Sequence, residues 1–239
     1  NEANRPPVVT GISLQRTGDL LAIVGDDHYV CLYDTRNQEY IQDLDRHTDW
    51  VRSTVFSPDG TMLATAGNDR TVCLWDSNDW KRPVWFKRQP EAVFHVCFSH
   101  DGLKLATVGF DAWLRIYDVA TGEQVSKLSC PCPDIHAVAY SEDDQLIAAG
   151  GRCGNIRVWN TATAGQTGEF KAHRQRIRSL EFAPGNMILS AGDDQIVRIT
   201  DPAQLKTSRS LPRHSSKLYA TALLADNLIA TAGSDNLIH

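Results

Sequence analysis

A single period runs through the whole chain. Val9, Val51, Val93, Ile135, Ile177 and Leu218 follow one another at intervals of 42 residues four times and then 41. Glycine recurs in step with them, as Gly25, Gly67, Gly109, Gly151, Gly192 and Gly233. A fixed period of this size means that each copy is one supersecondary unit, which buries its apolar faces only against its neighbours. No single residue can be given a role until its equivalents in the other copies have been read.

The clearest copy spans residues 47–76, HTDWVRSTVFSPDGTMLATAGNDRTVCLWD. Three strand-like runs lie at residues 50–56, 61–66 and 71–75. SPDG separates the first two, and its Asp59-Gly60 pair tolerates positive φ. GNDR separates the second from the third, so the runs predict an antiparallel meander. The end of the third run reads Tyr33-Asp34, Trp75-Asp76, Tyr117-Asp118, Trp159-Asn160 and Thr200-Asp201 in successive copies.

With these dipeptides, the repeated glycine and the spacing, nearly all of the chain resembles the WD40 repeat family, whose members are β-propellers. The resemblance implies an all-β fold of four-stranded antiparallel blades. About five are complete and the sixth is truncated, with repeats near residues 8–46, 47–88, 89–130, 131–172, 173–213 and 214–239. Helix is expected only in short loop turns. A chain of 239 residues can form a single all-β domain, and one domain is expected here. The last copy stops two residues short of the tryptophan position. The ring is therefore expected to be completed outside these residues, by a longer protein that is seven-bladed as is common in the family, or else by another chain.

Composition excludes several classes. A hydrophobic fraction of 42% with 22% charged residues argues against disorder. No apolar run approaches the roughly 20 residues that a membrane helix needs. NEANRPP at the start is neither basic nor apolar, so no signal peptide is expected. A net charge of −5 gives no global reason to expect nucleic acid as a partner. Cys31 and Cys73 share a third-strand position and are expected to pack in the core. Cys130 and Cys132, in the loop sequence SCPCP, could form a redox pair or part of a metal site, although one C-x-C motif supplies too few ligands. Neither metal nor cofactor is expected. Reduced thiols place the chain in the cytoplasm or another reducing compartment such as the nucleus.

Blade two holds His47, Thr65, Asp69 and Trp75, and blade five holds His173, Ser190 and Asp194. These types suggest a hydrolase triad, yet they recur as Thr107 with Asp111, and as His214, Thr231 and Asp235. A catalytic constellation has no reason to repeat around a ring. The family resemblance implies instead a hydrogen-bonded chain that holds each blade together. Blade four has Ala149 and Cys153 at the hydroxyl and aspartate positions, and is expected to be the softest.

Propeller loops cluster on two faces around a channel, so a ligand meets side chains from several blades. Proteins resembling this one, such as the β subunit of heterotrimeric G proteins, imply that partners meet the face carrying the loop before the first strand and the turn after the second. On this chain those positions give Trp50, Arg52, Phe94, Phe110, His136, Arg152, Arg176, Arg178, Lys217 and Tyr219, with Asp134 and Asp193 beside them. Arg and aromatic residues are the usual anchors of interfaces. The expected function is a non-enzymatic scaffold that binds a protein or peptide there, with a preference for acidic or phosphorylated segments. The alternative is a regulatory or sensor domain attached to a catalytic region elsewhere.

Overall fold

Turn chemistry decides where the strands begin and end. In blade two, the Ser57 hydroxyl and the Thr61 amide both donate to Asp59 Oδ1, at 2.6 and 3.0 Å, while Gly60 takes φ +75°. Blade three repeats the device with Ser99 and Asp101 at 2.6 Å and with Gly102 at φ +74°. Blade four does so with Ser141 and Asp143, again at 2.6 Å, and Asp144 carries the positive φ. Each is an Asx-type turn in which a short carboxylate satisfies amides that the strands have released.

The computed structural model describes residues 6–16, 18–224 and 228–239, so part of the N-terminal leader lies outside the described residues. Blade one consists of β1 (Val9–Leu14), β2 (Leu20–Gly25), β3 (Val30–Asp34) and β4 (Glu39–Leu44). Blade two follows with β5 (Val51–Phe56), β6 (Met62–Gly67), β7 (Thr71–Asp76) and β8 (Trp85–Arg88). Blade three has β9 (Val93–Phe98), β10 (Lys104–Gly109), β11 (Trp113–Asp118) and β12 (Gln124–Ser129). Blade four has β13 (Ile135–Tyr140), β14 (Leu146–Gly151), β15 (Asn155–Asn160) and β16 (Gln166–Lys171). Blade five has β17 (Ile177–Ala183), β18 (Met187–Gly192), β19 (Val197–Asp201) and β20 (Lys206–Ser210). The last sheet pairs β21 (Leu218–Leu223) with β22 (Ile229–Gly233), and an isolated bridge from Ala232 to Ile238 marks the start of a third strand.

Five sheets are four-stranded with neighbours in chain order, and the sixth is two-stranded. The fold is thus all-β, a WD40-type propeller arrangement of five complete blades and a truncated sixth. Among the described residues the one helical segment is the 3-10 turn Pro184–Asn186. The chain divides into two compact units, Asn1–Asp111 with Ile116–Val125, and Ala112–Arg115 with Ser126–His239.

Central strands are covered on both faces, which is why they read as nearly unbroken apolar runs. Leu63, Ala64, Ala66, Val72 and Leu74 of β6 and β7 are fully buried. Within the first unit, Val24 and Leu32 of blade one pack with Val51 and Phe56 of blade two, and Leu74 packs with Val93 and Val96 of blade three. Within the second, Ile156 and Val158 pack with Ile177 and Leu180, and Leu189 and Val197 with Leu218. Each such large side chain contributes about 1.5–3 kcal/mol by leaving water. Cys73 shares the first of these clusters, as expected. Cys31 does not: it is half-buried opposite Asp43, and burial followed by that carboxylate pushes its thiol up to about 12.

Uncovered faces are present too. Val9, Ile12 and Leu14 of β1 are 56%, 66% and 61% exposed, although Val51 and Phe56 at equivalent places in β5 are buried. Leu237 and Ile238 in the last sheet are also exposed.

Candidate interaction surface

One backbone irregularity, repeated in every copy, builds the candidate surface. In blade two, Val51 pairs with Gly67 and Ser53 with Ala66, so Arg52 is an extra residue with no partner across the ladder. The same bulge leaves out Thr10, Phe94, His136, Arg178 and Tyr219 in the other blades. A bulge bends its strand and re-aims one side chain. It also explains the repeated glycine, which stands opposite. A Cβ on Gly67 would lie 2.4 Å from the Trp50 carbonyl oxygen, and one on Gly192 would lie 2.0 Å from that of Arg176. Only a residue without a Cβ admits that approach.

The same carbonyl fixes the following turn. Asn68, Phe110, Arg152, Asp193 and Ser234 each donate their amide to the carbonyl two residues before the bulged residue of their own blade, at 2.8–2.9 Å. One hydrogen bond and one bulge therefore bring three side chains together in each blade. The sequence-predicted partner residues are members of these sets.

In the first unit the sets form a stack. The Arg52 guanidinium carbon lies 4.6 Å from the Trp50 ring centroid and 5.7 Å from that of Phe94. Its Nε donates to Asn68 Oδ1 at 2.8 Å, which fixes the plane of the group. The Phe94 and Phe110 rings are 4.8 Å apart. Trp50 and Phe110 are exposed, at 38% and 51%. A cation held against aromatic faces is preorganised in one orientation.

In the second unit, charge is mostly paired. Asp134 Oδ1 accepts from His136 Nε2 at 2.7 Å and its Oδ2 from Arg176 Nη2 at 2.7 Å. Arg178 binds Asp193 through Nε and Nη2, at 2.9 and 3.4 Å, and stands 5.8 Å over the Tyr219 ring. Each aspartate is the direct partner of one arginine, and among the described residues Arg152 and Lys217 remain exposed with no ion pair. Burial first, then the Arg178 and Arg176 charges, lower the His136 pKa to about 4 against the opposing pull of Asp134. His136 is therefore a neutral donor at neutral pH.

The blade networks lie apart from these sets. His47 Nδ1 is 2.9 Å from Asp69 Oδ2 and its Nε2 is 2.9 Å from Thr65 Oγ1, while Trp75 Nε1 donates to Thr65 at 3.2 Å. Asp69 also accepts the Thr48 and Thr71 amides, at 3.1 and 2.9 Å. Burial would raise this carboxyl, but the His47 bond and the two amides more than offset it and hold the group below its ordinary value. In blade five, His173 lies 2.8 Å from Asp194 and 2.9 Å from Ser190. Thr200 replaces the tryptophan there, and its buried hydroxyl has no hydrogen-bond partner among the described residues.

Three substitutes were missed from the sequence. Gln89 takes the histidine position in blade three and donates to Thr107 Oγ1 at 2.8 Å. Arg198 closes the blade-five network, 2.7 Å from Asp194 Oδ2. Arg157 in blade four binds Glu169 at 2.6 Å. The repeat alignment could have found Gln89, because it stands four residues before Val93 as His47 stands before Val51.

Among the described residues no cluster of histidine, cysteine and carboxylate side chains is arranged to hold a metal, and no helix is long and apolar enough to cross a membrane. No curated protein matches the chain. Four stretches, residues 38–76, 84–118, 122–160 and 165–201, match the family WD40, described as WD domain, G-beta repeat. Each stretch ends on the dipeptide that closes a third strand: Trp75-Asp76, Tyr117-Asp118, Trp159-Asn160 or Thr200-Asp201. These matches take in more than half of the chain and keep step with its own period, and the chain therefore belongs to the WD40-repeat family, whose members generally serve as scaffolds for protein interaction.

Proposed function

We propose that this chain is a non-enzymatic scaffold that captures a protein or peptide through the side chains gathered at its strand bulges. The observation that carries the reading is the Trp50–Arg52–Phe94–Phe110 stack, where an arginine fixed by Asn68 lies against the rings of Trp50 and Phe94, with the exposed Phe110 ring beside them. Such a group offers apolar area and a positive charge at little entropic cost, as hot-spot residues do. It suits a segment with an apolar or aromatic anchor next to a carboxylate or phosphate. In the second unit, a preference for acidic segments rests on Arg152 and Lys217, because Arg176 and Arg178 are already engaged. Residues with hydrolase chemistry, such as His173 with Ser190 and Asp194, are buried inside a blade and bonded to one another, which supports a structural role.

The test is selection of peptides from a random displayed library on the immobilised chain. Selected sequences should pair an aromatic with an acidic residue, and Arg52→Ala or Phe94→Ala should weaken their binding about tenfold. Leu103→Ser, at an exposed turn of blade three, should leave it unchanged. Unaltered binding by both stack variants, with folding intact, rejects this surface.

A further inference from the structure

Blade five gathers three arginines around one cavity. Arg174 and Gln175 come from the loop before β17, Asp194 and Ile196 from the turn between β18 and β19, Arg198 from β19, and Arg213 from the segment after β20. Together they line a space of about 320 Å³, all of it within the second compact unit. The repeat does not require this grouping. Arg174 stands where blade two has Thr48, Arg198 where it has Cys73, and only Arg213 has a basic counterpart, Arg88. The same three places hold one arginine in blade three, Arg115, and one in blade four, Arg157.

Two of the three guanidinium groups are positioned by the blade. The Arg198 side chain is 12% exposed, and its Nη1 donates to Asp194 Oδ2 at 2.7 Å. Its Nε and Nη2 make no hydrogen bond among the described residues. Arg213 donates from Nε to Gln195 Oε1 at 2.8 Å, and the Gln195 carbonyl oxygen accepts the His214 amide at 2.9 Å. One residue thus holds both the side chain and the main chain of that segment, and the two Nη groups of Arg213 are left for a ligand. Arg174 donates its amide to Asp194 Oδ2 at 3.2 Å, while its exposed guanidinium has no ion pair among the described residues.

Charge decides what fits. The one carboxylate in the lining, Asp194, is already engaged by Arg198, by the Arg174 amide and by the His173 ring 2.8 Å away. Burial opposes its ionisation, but the His173 and Arg198 bonds outweigh that and hold the carboxyl well below its ordinary value. Three guanidinium groups against one carboxylate leave two positive charges in excess. A phosphate monoester carries about −2 near neutral pH, and its oxygens match the forked donors of arginine in geometry as well as in sign.

Size and lining narrow the source of that phosphate. Ligand pockets run from roughly 300 to 1,000 Å³, so this one suits a single side chain. No lining residue is aromatic, so a nucleotide base has no ring to stack on. A net charge of −5 gives the chain no general attraction to an anionic membrane. We propose that the blade-five cavity binds the phosphoryl group of a phosphorylated serine or threonine in a peptide partner, with Ile196 offering apolar contact to the chain that carries it. The site shares no residue with the Trp50–Arg52 stack or with Arg152 and Lys217, so its success or failure is read separately from theirs.

The experiment has two arms. In the first, the labelled intact chain is applied to an array of peptides of random sequence around a fixed phosphoserine, phosphothreonine, serine or glutamate. Binding to the phosphorylated peptides should exceed binding to the serine and glutamate sets at least tenfold. Arg174→Gln and Arg213→Gln, both at exposed positions, should each lower it at least fivefold, whereas Arg209→Gln, exposed on β20 outside the cavity, should not. In the second arm, arginines of the parent chain are modified with phenylglyoxal and mapped by mass spectrometry. Inorganic phosphate should slow modification of Arg174 and Arg213 at least threefold relative to Arg209, and sodium chloride at equal ionic strength should not. Equal binding to glutamate and phosphoserine peptides, or no protection by phosphate, overturns the proposal. Capture by vesicles containing a phosphatidylinositol phosphate, with no binding to the phosphorylated peptides, overturns it in favour of a membrane headgroup.

Discussion

The Thr65 hydroxyl accepts the indole N–H of Trp75 at 3.2 Å, and its oxygen lies 2.9 Å from Nε2 of the neutral His47 ring, to which it donates its own hydrogen. The Asp69 carboxylate, which can only accept, sets the histidine tautomer. Nδ1 carries the proton and donates it to Asp69, so every donor in the blade-two chain points the same way, from indole to carboxylate. Asp69→Ala leaves three donors without an acceptor: the His47 ring and the Thr48 and Thr71 amides. Asp76, by contrast, serves the backbone and side chain of Asn78 at an exposed turn. Asp69→Ala should cost about 1–3 kcal/mol more than Asp76→Ala, read from urea midpoints. Equal midpoints would remove the network from the account of blade stability.

Gly67→Ala tests the bulge. The added methyl would meet backbone, the Trp50 carbonyl oxygen at 2.4 Å and the Val51 Cα at 3.2 Å, and neither can move without breaking the strand pair. A loss of about 2–3 kcal/mol is expected in thermal or denaturant unfolding. Gly165→Ala is the contrast: its nearest neighbour is the Thr163 hydroxyl at 3.2 Å, which can rotate away. That variant should stay within about 0.5 kcal/mol of the parent.

His136 makes stability depend on pH in a definite window. Its folded pKa is about 4 against an ordinary 6.5, with Asp134, Arg176 and Arg178 as the charged groups that face it. The unfolded chain takes up a proton near pH 6.5 and the folded chain resists until about pH 4, so this contribution is complete above 6.5 and drains away as pH falls to 4. The loss is on the order of 2–3 kcal/mol. His136→Gln keeps a donor for Asp134 but cannot titrate, and its urea midpoints at pH 7 and 4.5 should differ less than the parent's do. Identical differences would show that His136 titrates alike in both states.

Thr200→Val addresses the buried hydroxyl left over in blade five. The side chain is fully buried, its Oγ1 has no hydrogen-bond partner among the described residues, and valine has the same shape. Replacing an unsatisfied polar atom by a methyl group should be neutral or stabilise by about 1 kcal/mol. A clear fall in melting temperature would mean that the hydroxyl serves a partner after all.

The blades were legible because their signals are local. The 42-residue spacing, the Asp59-Gly60 turn and the apolar runs of β6 and β7 each lie within a few residues of one another. His47, Thr65, Asp69 and Trp75 could be named because repetition marked them. The ion pairs of the candidate surface were not legible in the same way. Arg176 reaches Asp134 across 42 positions, one whole repeat, and nothing in either blade alone says that the two side chains meet. Cys31 was misplaced for a related reason: it shares a column with Cys73, but it stands opposite Asp43 and is only half-buried. Equivalence in the repeat predicts backbone well, and predicts a side chain's surroundings only where the neighbouring blade is equivalent too.

The bulge separates what a blade must keep from what it can vary. Glycine and a carbonyl oxygen carry the geometry at Gly67 and Trp50, while the residue between them and the ladder has no cross-strand partner to fit. That free place is filled by threonine, arginine, phenylalanine, histidine, arginine and tyrosine in blades one to six. Chemistry at this position can change from polar to cationic to aromatic without altering one main-chain hydrogen bond. The chain is in this sense a row of identical sockets with interchangeable fittings, and a new binding preference can arise in it one residue at a time, with the framework left as it stands.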